Sequence, residues 1–404
     1  MSVLKGKEIV LGITGGIAAY KAAELVRLIV KNGANVQVVM TESAMEFVSP
    51  LTFQTLSGNP VITEMFKLYQ EKEIGHISLA QKADILVVAP ATANMIGKAA
   101  GGIADDMLST VFMATRAPVL FAPAMNVNMW ESPAVKKNIS SLKKLGHFFI
   151  EPGCGDLACG VQGKGRLAEV EDILEEMIGL LSPKDFNKKR VLVTAGPTQE
   201  ALDPARYITN PSTGKMGFSI ARALKRRGAE VTLIAGPTSV SLPSGVNCVQ
   251  VKTSGEMALA VDKCFEEMEI IIKSAAVADY RPRQVSSEKI KKKEDRIVLD
   301  LEKTADILSA LGKKKGDRIL VGFAAETENI IKNAAEKLIK KNLDMIVAND
   351  ISRSDVGFGS DDNQVTFLLR DGTSEALPKM TKDEVADALL DRILRLKSSG
   401  DNLR

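Results

Sequence analysis

The stretch "KEIVLGITGGIAAYKAAELVRLIVKNGANVQVVMT", residues 7–41, decides the fold. An apolar run, "KEIVLGIT", is followed by a helical pattern, "GGIAAYKAAELVRLIVKNG", and then by a second apolar run, "ANVQVVMT". Unbroken Val/Ile/Leu runs mark parallel strands buried on both faces, since a strand with one wet face would alternate. Strand, helix and strand in that order build a doubly wound α/β sheet. "ADILVVAPAT" (83–92) and "APVLFAPAMN" (117–126) extend the pattern, each with helix-like sequence after it.

The polar segment "SPKDFNKKR" (182–190) interrupts it with Pro183 and four basic side chains, and residues 182–189 read as a linker. The pattern then restarts. "KRVLVTAGPT", a helix near 214–227, "AEVTLIAG", "EIIIKSAAVAD", "RILVGFAAET" and "DMIVAND" supply further buried strands and connections. "KIKKKEDRIVLDLEK" (289–303) alternates like a hairpin or extended arm, and a last helix covers about 381–397. The expected architecture is α/β, with two doubly wound Rossmann-like domains over 1–181 and 190–404.

Composition sets outer bounds. The chain has 404 residues, 45% of them hydrophobic and 25% charged, so it can bury full cores without staples. A net charge of +3 does not indicate a nucleic-acid surface, and no apolar run is long enough to span a membrane. "IVLGIT" is too short for a signal-peptide core and lacks a small-residue cleavage site, so a cytoplasmic protein is expected.

"EPGCGDLACGVQGKGRLAE" (151–169) holds Cys154 and Cys159. The spacing suits a disulfide, a metal site or a reactive thiol. A disulfide is disfavoured in reducing cytoplasm. The only histidines, His76 and His147, do not easily complete a zinc site with one cysteine pair. A thiol remains, or an incidental pair in a surface loop.

"GITGGIAAYK" (12–21) places glycines between a strand and a helix, where free N–H groups and the helix dipole suit a phosphate. The spacing is not the dinucleotide fingerprint, and the second strand ends "MTES" without a clear ribose-binding acid. FMN fits better than NAD; a tight turn without ligand is the alternative. "APATANMIGKAAGGIADDMLST" (89–110) and "APAMNVNMW" (122–130) also follow strand ends, as ligand loops or as ordinary turns.

Together these segments, with "GHISLAQKADILVVAPAT" and "GCGDLACGVQGKGRLAE", resemble the flavin-dependent cysteine decarboxylase family, and most closely its phosphopantothenoylcysteine decarboxylases. The resemblance implies a flavodoxin-like domain that binds FMN, oxidises the thiol of a cysteine-derived end, loses CO₂ and reduces the enethiol. A thioaldehyde at Cβ gives the electrons of the C–COO⁻ bond a sink, and the protein orients the substrate. It implies His76 as the base for oxidation, Asn126 as the carboxylate holder, and Cys159 as the proton donor in enethiol reduction. A thiol of reference pKa about 8.5 is mostly protonated near neutrality, as a donor needs. Thr14, Gly15, Gly16, Thr41, Ala91 and Thr92 would surround FMN. Leu167 stands where the family often has Met.

The second half offers "VTAGPTQEALDPARYITNPSTGKMG" (193–217), "SAAVADYRP" (274–282), "KIKKK" (289–293), "VGFAAET" (321–327) and "KLIKKNLDMIVANDIS" (337–352). Lys337 and Lys341 share a helix face. They form a solvated face or, with a hairpin lysine and strand-end loops, surround a triphosphate. No P-loop motif is present. These segments resemble the CTP-using phosphopantothenate–cysteine ligase family, in matching order. The resemblance implies that 4′-phosphopantothenate attacks CTP to give an acyl-cytidylate, and L-cysteine then displaces CMP. Asn210 would contact the acyl intermediate. Ser274, Ala275, Ala276, Asp279, Lys289, Phe323, Lys337 and Lys341 would bind CTP. Mg²⁺ is implied by the triphosphate rather than by a ligand motif. Ala305 replaces a family proline before "DIL". Family members assemble through trimeric flavin domains and dimeric ligase domains, so a homo-oligomer up to a dodecamer is expected. Two rivals are a peptide-cysteine or prenyl-FMN-type decarboxylase, which would need no second half, and a flavin- or nucleotide-binding regulatory protein, against which His76, Asn126, Cys159, Asn210 and Lys289 are all retained.

Overall fold

The computed structural model describes residues 3–65, 75–156, 162–291, 297–350, 357 and 359–401. The chain divides into two compact units, Met1–Ser182 and Pro183–Arg404.

The first unit holds a parallel sheet of β1 (Glu8–Ile13), β2 (Asn35–Met40), β3 (Ile85–Ala91), β4 (Val119–Pro123) and β5 (Phe148–Phe149), in the order β2-β1-β3-β4-β5. Its helices are α1 (Ala19–Lys31), α2 (Glu42–Met45), α3 (Pro50–Ser57), α4 (Gly75–Lys82), α5 (Ala93–Gly101), α6 (Met107–Ala114), α7 (Val127–Glu131), α8 (Pro133–Lys144) and α9 (Val170–Leu181). Every residue of β3 and β4 is buried because helices cover both faces. Ile9, Leu11 and Ile13 of β1 join the core under α1 and α9, while Val10 joins the core under α5, α6 and α8. Helix α1 buries Ala19, Ala22, Leu25, Val26 and Ile29, one apolar stripe. A short antiparallel hairpin, β6 (Gly153–Asp156) and β7 (Gln162–Arg166), stands apart from the sheet.

The second unit is built on eight strands in the order β12-β11-β8-β13-β16-β17-β19-β20. They are β8 (Arg190–Ala195), β11 (Glu230–Ala235), β12 (Asn247–Gln250), β13 (Ile270–Lys273), β16 (Ile319–Glu326), β17 (Met345–Asp350), β19 (Val365–Leu369) and β20 (Ser374–Ala376). The first six run parallel, and β19 and β20 close the edge antiparallel. Small ribbons are formed by β9 (Gln199–Asp203) with β10 (Arg206–Thr209), β14 (Tyr280–Pro282) with β15 (Leu301–Lys303), and β18 (Asp362–Asn363) with β21 (Met380–Thr381). Helices α10 (Lys215–Arg226) and α14 (Lys382–Asp401) lie over one sheet face. The other face carries α11 (Ser254–Phe265), α12 (Ile307–Lys314) and α13 (Ile330–Lys340).

The segment read as a linker packs into this second unit instead. Phe186 is fully buried in the core under α10 and α14, and the Arg227 guanidinium sits over its ring at 5.1 Å. Arg227 also donates to Asp185 at 2.6 and 2.8 Å and to Asp391 at 2.7 Å. Polar composition hid one aromatic anchor and one half of an ion pair.

Helix α10 lies close on β8 at Gly217, where a Cβ would come 2.5 Å from Ala195 Cβ and 3.0 Å from its Cα. Gly217→Ala is expected to cost the second unit about 1–3 kcal/mol through overpacking. Gly255→Ala on α11 meets only Thr253 Oγ1 at 3.9 Å, so it should be neutral or stabilising through helix propensity. Differential scanning calorimetry of both variants checks the pair; equal melting temperatures would refute the close approach.

Candidate active sites

In the first unit the chain leaves β1 for α1 on one face and β3 for α5 on the other, so a crevice opens at the carboxyl ends of these neighbours. A cavity of about 870 Å³ occupies it. Thr14, Gly15, Gly16, Thr41, Thr92 and Asn126 all line it, and Ala91 is buried directly behind. Thr14 is buried, and its hydroxyl donates to Pro90 O at 2.7 Å and accepts from Thr92 N–H at 3.0 Å. That hydroxyl ties the floor of the crevice. Gly15 allows a close approach: a Cβ there would fall 2.3 Å from Ser43 Cβ. No side chain caps α1, although Ala19 and Lys21 N–H already donate to the Gly16 and Ala18 carbonyls at 2.9 and 3.0 Å. The Thr41 hydroxyl is buried without a partner among the described residues.

Asn126 lies in the turn after β4 as the N-cap of α7, its Oδ1 accepting from Asn128 N–H at 2.8 Å. The hairpin is seated beside it. Met125 N–H donates to Gly165 O at 2.9 Å, and a Cβ at Gly165 would meet Met125 O at 2.2 Å. Trp130, the one tryptophan of the chain, is buried next to this seat. Lys136 from α8 lies 4.4 Å from its ring centroid and Lys164 from the hairpin lies 5.8 Å away. Cys159 falls between the hairpin strands and lies outside the described residues. His76 stands half-buried in the first turn of α4 and is not among the residues lining the cavity. His147 is half-buried outside the cavity: its ring lies 5.0 Å from Phe112, and burial pushes its pKa down.

Sequence reasoning missed a charge cluster on this cavity. Lys98 pairs with Asp105 at 2.6 Å and Asp106 at 2.8 Å, and those hydrogen bonds push its pKa up. Burial opposes the charge on Asp106, but Lys98 and Ser109 hold its carboxyl below the usual range. "ADDM" after a glycine pair reads as a helix cap, which Asp106 also is.

In the second unit the corresponding crevice lies between β8 and β13. Thr194 Oγ1 accepts from Ala275 N–H at 3.2 Å, Thr198 Oγ1 accepts from Ala278 N–H at 3.0 Å, and Ala276 N–H donates to Gly196 O at 2.9 Å. These bonds shape the Ser274–Ala276 loop. Asn210 Nδ2 donates to Ala276 O at 3.1 Å and Val277 O at 3.3 Å, so this side chain meets the loop predicted to hold nucleotide. Asp279 follows, exposed, with Thr304 N–H donating to its carbonyl at 3.0 Å. Lys337 pairs with Glu326 at 2.5 Å and Lys341 with Asp306 at 2.9 Å. Glu326 ends β16 and Asp306 caps α12, whereas Lys337 and Lys341 come from the last turn and C-cap of α13, which runs back from the carboxyl end of β16, and reach these carboxylates through their side chains. Phe323 differs: it is half-buried against the opposite core, under α10 and α14.

Lys289 is exposed at the start of the arm. The residue after it is clamped from both sides. Ile290 N–H donates to Asp203 Oδ2 at 3.1 Å, and Arg206 Nη2 donates to Ile290 O at 2.7 Å. Arg206 itself donates to Asp203 at 2.5 and 3.0 Å. The Arg206 guanidinium holds the buried Asp203 carboxyl well below the usual carboxylate range, against the effect of burial. "DPAR" reads as a turn, and nothing local announces this reach across the chain.

Comparisons with known proteins fit this geometry. A family model described as "Flavoprotein" matches residues 2–182, and one described as "DNA/pantothenate metabolism flavoprotein C-terminal domain" matches 186–396. A Bacillus subtilis (strain 168) relative, the coenzyme A biosynthesis bifunctional protein CoaBC, is 49% identical over 404 residues, covering 99% of this chain and 100% of that one. The protein of the same name from Vibrio cholerae serotype O1 is 47% identical, covering 96% and 98%. The crystal structure of the C-terminal domain of a coenzyme A biosynthesis bifunctional protein CoaBC is 42% identical, covering 54% of this chain and all of that one, with a TM-score of 0.47.

Asp203→Ala should release the arm. Trypsin is expected to cut after Lys289 and Lys291 several-fold faster than in the native chain, read by mass spectrometry of timed digests. Because its carboxyl is held low, the clamp is intact above the ordinary carboxylate pKa of roughly 3.9 and is lost only as pH falls towards the folded value. An unchanged digestion rate would show that Asp203 does not hold the arm.

Proposed function

Because the chain belongs to the family of coenzyme A biosynthesis bifunctional proteins, we propose that it carries out two consecutive steps of that pathway. The second unit joins 4′-phosphopantothenate to L-cysteine at the expense of CTP. The first unit decarboxylates the product to 4′-phosphopantetheine. The observation that carries this reading is the 49% identity to a bifunctional relative across both units.

In the ligase unit a carboxylate must become an acylating agent. Its oxygen attacks the α-phosphorus of CTP, pyrophosphate leaves with the electron pair of the broken P–O bond, and the cysteine amine then displaces CMP. Charge gathers on the phosphates, and nearby cations offset it. Lys337 and Lys341 lie on one helix end, each neutralised by a carboxylate that a phosphate would replace. Lys289 enters from the clamped arm, and Ser274–Ala276 present backbone at the strand end. Asn210 donates through Nδ2 to the loop, which leaves Oδ1 to meet the acyl intermediate. Asp279 faces the nucleotide, and Phe323 approaches it from the other side of the sheet. Mg²⁺ arrives with the triphosphate.

The first cavity fits FMN. Its glycine loop, the uncapped first turn of α1 and the unpartnered Thr41 hydroxyl are groups that a phosphate and a polar ring would meet. Thr14, Gly15, Gly16, Thr41, Ala91 and Thr92 would hold it. When bound, the flavin supplies a hydride acceptor and donor for oxidation and reduction at the substrate carbon and sulfur. Asn126 binds the carboxylate that is lost as CO₂. Cys159, carried by the hairpin seated on Met125, delivers the proton at the end of the reaction. Ile17, Tyr20 and Met129 line the cavity yet remain 59, 61 and 47% exposed. That supports a trimer of flavin units covering them, with His76 acting from the neighbouring copy. Dimers of ligase units would complete the assembly. No described helix is long and apolar enough to cross a membrane; on our reading both steps run in the cytoplasm.

Mass spectrometry of one reaction tests the whole reading: purified protein, 4′-phosphopantothenate, cysteine, Mg²⁺ and CTP. The expected products are 4′-phosphopantetheine, CMP and pyrophosphate; no product from flavin-loaded protein would sink it. Cys159→Ser should stop the first unit after CO₂ loss and accumulate the enethiol. Normal product yield from that variant would remove Cys159 from the mechanism. Asn210→Asp should slow the ligase by about ten- to a hundredfold, the effect of one lost transition-state hydrogen bond, while decarboxylation of supplied substrate continues at the native rate.

A further inference from the structure

Three lysines lie on the face of the second sheet covered by α11, α12 and α13, two from the end of α13 and one from the end of β13. Lys337 and Lys341 have carboxylate partners. The third, Lys273, ends the central strand β13 and has no hydrogen-bonding or ion-pair partner for its ammonium among the described residues.

Two observations fix where Lys273 points. Along β13, Ile271 belongs to the core under α11–α13, while Ile270 and Ile272 belong to the opposite core. Alternation puts Lys273 on the face of Ile271. Its register partner on β16 is Gly322. A Cβ at Gly322 would meet Leu308 and Leu343, each at 2.9 Å, so that face looks to α12 and the segment after α13. The lysine stem therefore rises beside those leucines towards the helix ends. There Asp306 caps α12, with Ser309 N–H donating to it at 3.0 Å, and Lys341 ends α13. A Cβ at Gly312 would meet Lys341 O at 1.9 Å, so the two helices touch through backbone and hold Asp306 and Lys341 in place.

Lys273 is half-buried, and a cation there with no carboxylate partner is available to an anionic ligand. From this placement we infer that Lys273 is a nucleotide-binding residue of the ligase centre, its ammonium taking the outer phosphates of the triphosphate, those that leave as pyrophosphate. The inference rests on the ligase reading above and adds to it a residue that the resemblance does not include. Its strand register anchors it to the floor of the crevice, whereas Lys289 comes from an arm and Lys337 and Lys341 must first release Glu326 and Asp306. Lys273 is ready to bind at no such cost.

The charge state supports the role. Burial lowers the Lys273 pKa to about 8, Lys341 adds to the lowering, and Asp306 and Asp279 offset part of it. These are the charged groups facing it from α13, from the start of α12 and from the loop after β13. The protonated form is the binding form, so affinity for the triphosphate should weaken as pH rises through this range.

The test uses the full-length enzyme, with CTP varied at saturating 4′-phosphopantothenate and cysteine, between about pH 6.5 and 9.5. Three forms are compared: native, Lys273→Met and Lys273→Arg. In the native enzyme KM for CTP is expected to rise above pH of about 8. Lys273→Met should raise KM for CTP about ten- to a hundredfold, the worth of one charged hydrogen bond, and remove that rise. Lys273→Arg should retain most of the affinity and stay flat, because a guanidinium keeps its proton. Melting curves and decarboxylation of supplied phosphopantothenoylcysteine confirm that the variants are folded. If Lys273→Met does not fold, the native and Arg profiles decide alone. An unchanged KM in Lys273→Met, or a native KM that is flat with pH, overturns the inference while leaving the ligase reading intact. So does a loss confined to kcat with a rising alkaline limb, which would make Lys273 a base towards the cysteine amine. A native enzyme that forms no product with CTP instead overturns the ligase reading itself.

Discussion

Each sheet of this chain depends on one buried threonine hydroxyl at its switch point. Neighbouring parallel strands that send their helices to opposite faces separate at their carboxyl ends, and the backbone groups there lose the sheet as a partner. Thr14 supplies the missing acceptor and donor between β1 and β3. Thr194 supplies the acceptor between β8 and the loop after β13. Both are 1% exposed. A crevice whose floor is already satisfied can leave its walls open to ligand. Glycine loops, helix ends and short polar side chains are then free to face a phosphate.

The two crevices use charge differently. In the flavin unit the cations lining the cavity are paired, Lys98 with Asp105 and Asp106 and both Lys21 and Arg166 with Glu169, so the cavity offers anions the end of α1 rather than a free cation. In the second unit Lys337 and Lys341 are held by Glu326 and Asp306, partners that a triphosphate would displace under the proposed function. Such pairing neutralises both cations and would make nucleotide binding an exchange of one anion for another. A pair on a semi-exposed surface is worth little by itself, which makes that exchange easy.

Buried strands and amphipathic helices were legible because their periodicity is local. The helix expected near 214–227 is Lys215–Arg226, and that expected over about 381–397 is Lys382–Asp401. The loops that would meet ligand were legible as glycine, asparagine and threonine clusters at strand ends. What stayed hidden acts across long separations. The Thr14–Thr92 bond spans 78 residues, and the Asp203 clamp on Ile290 spans 87. Phe186 lay inside a polar stretch and read as linker, although its ring belongs to the second core. Lys273 ends an apolar run, and nothing local in the sequence singles it out. Only the sheet order shows that this strand is central and that its end faces two helix termini. The role of Phe323 depended on which sheet face it takes, and strand alternation alone does not say which face meets nucleotide.

The surroundings of Trp130 give the protein a built-in optical reporter. The chain has one indole, and it lies under the seat of the hairpin with Lys164 approaching its ring from that hairpin. Its emission therefore comes from the first unit alone. Ammonium groups near an indole shift its emission, so lifting Lys164 away would change the colour and yield of the light. Time-resolved fluorescence excited selectively at the indole can thus follow the hairpin during turnover, without signal from Tyr207 and Tyr280 of the second unit.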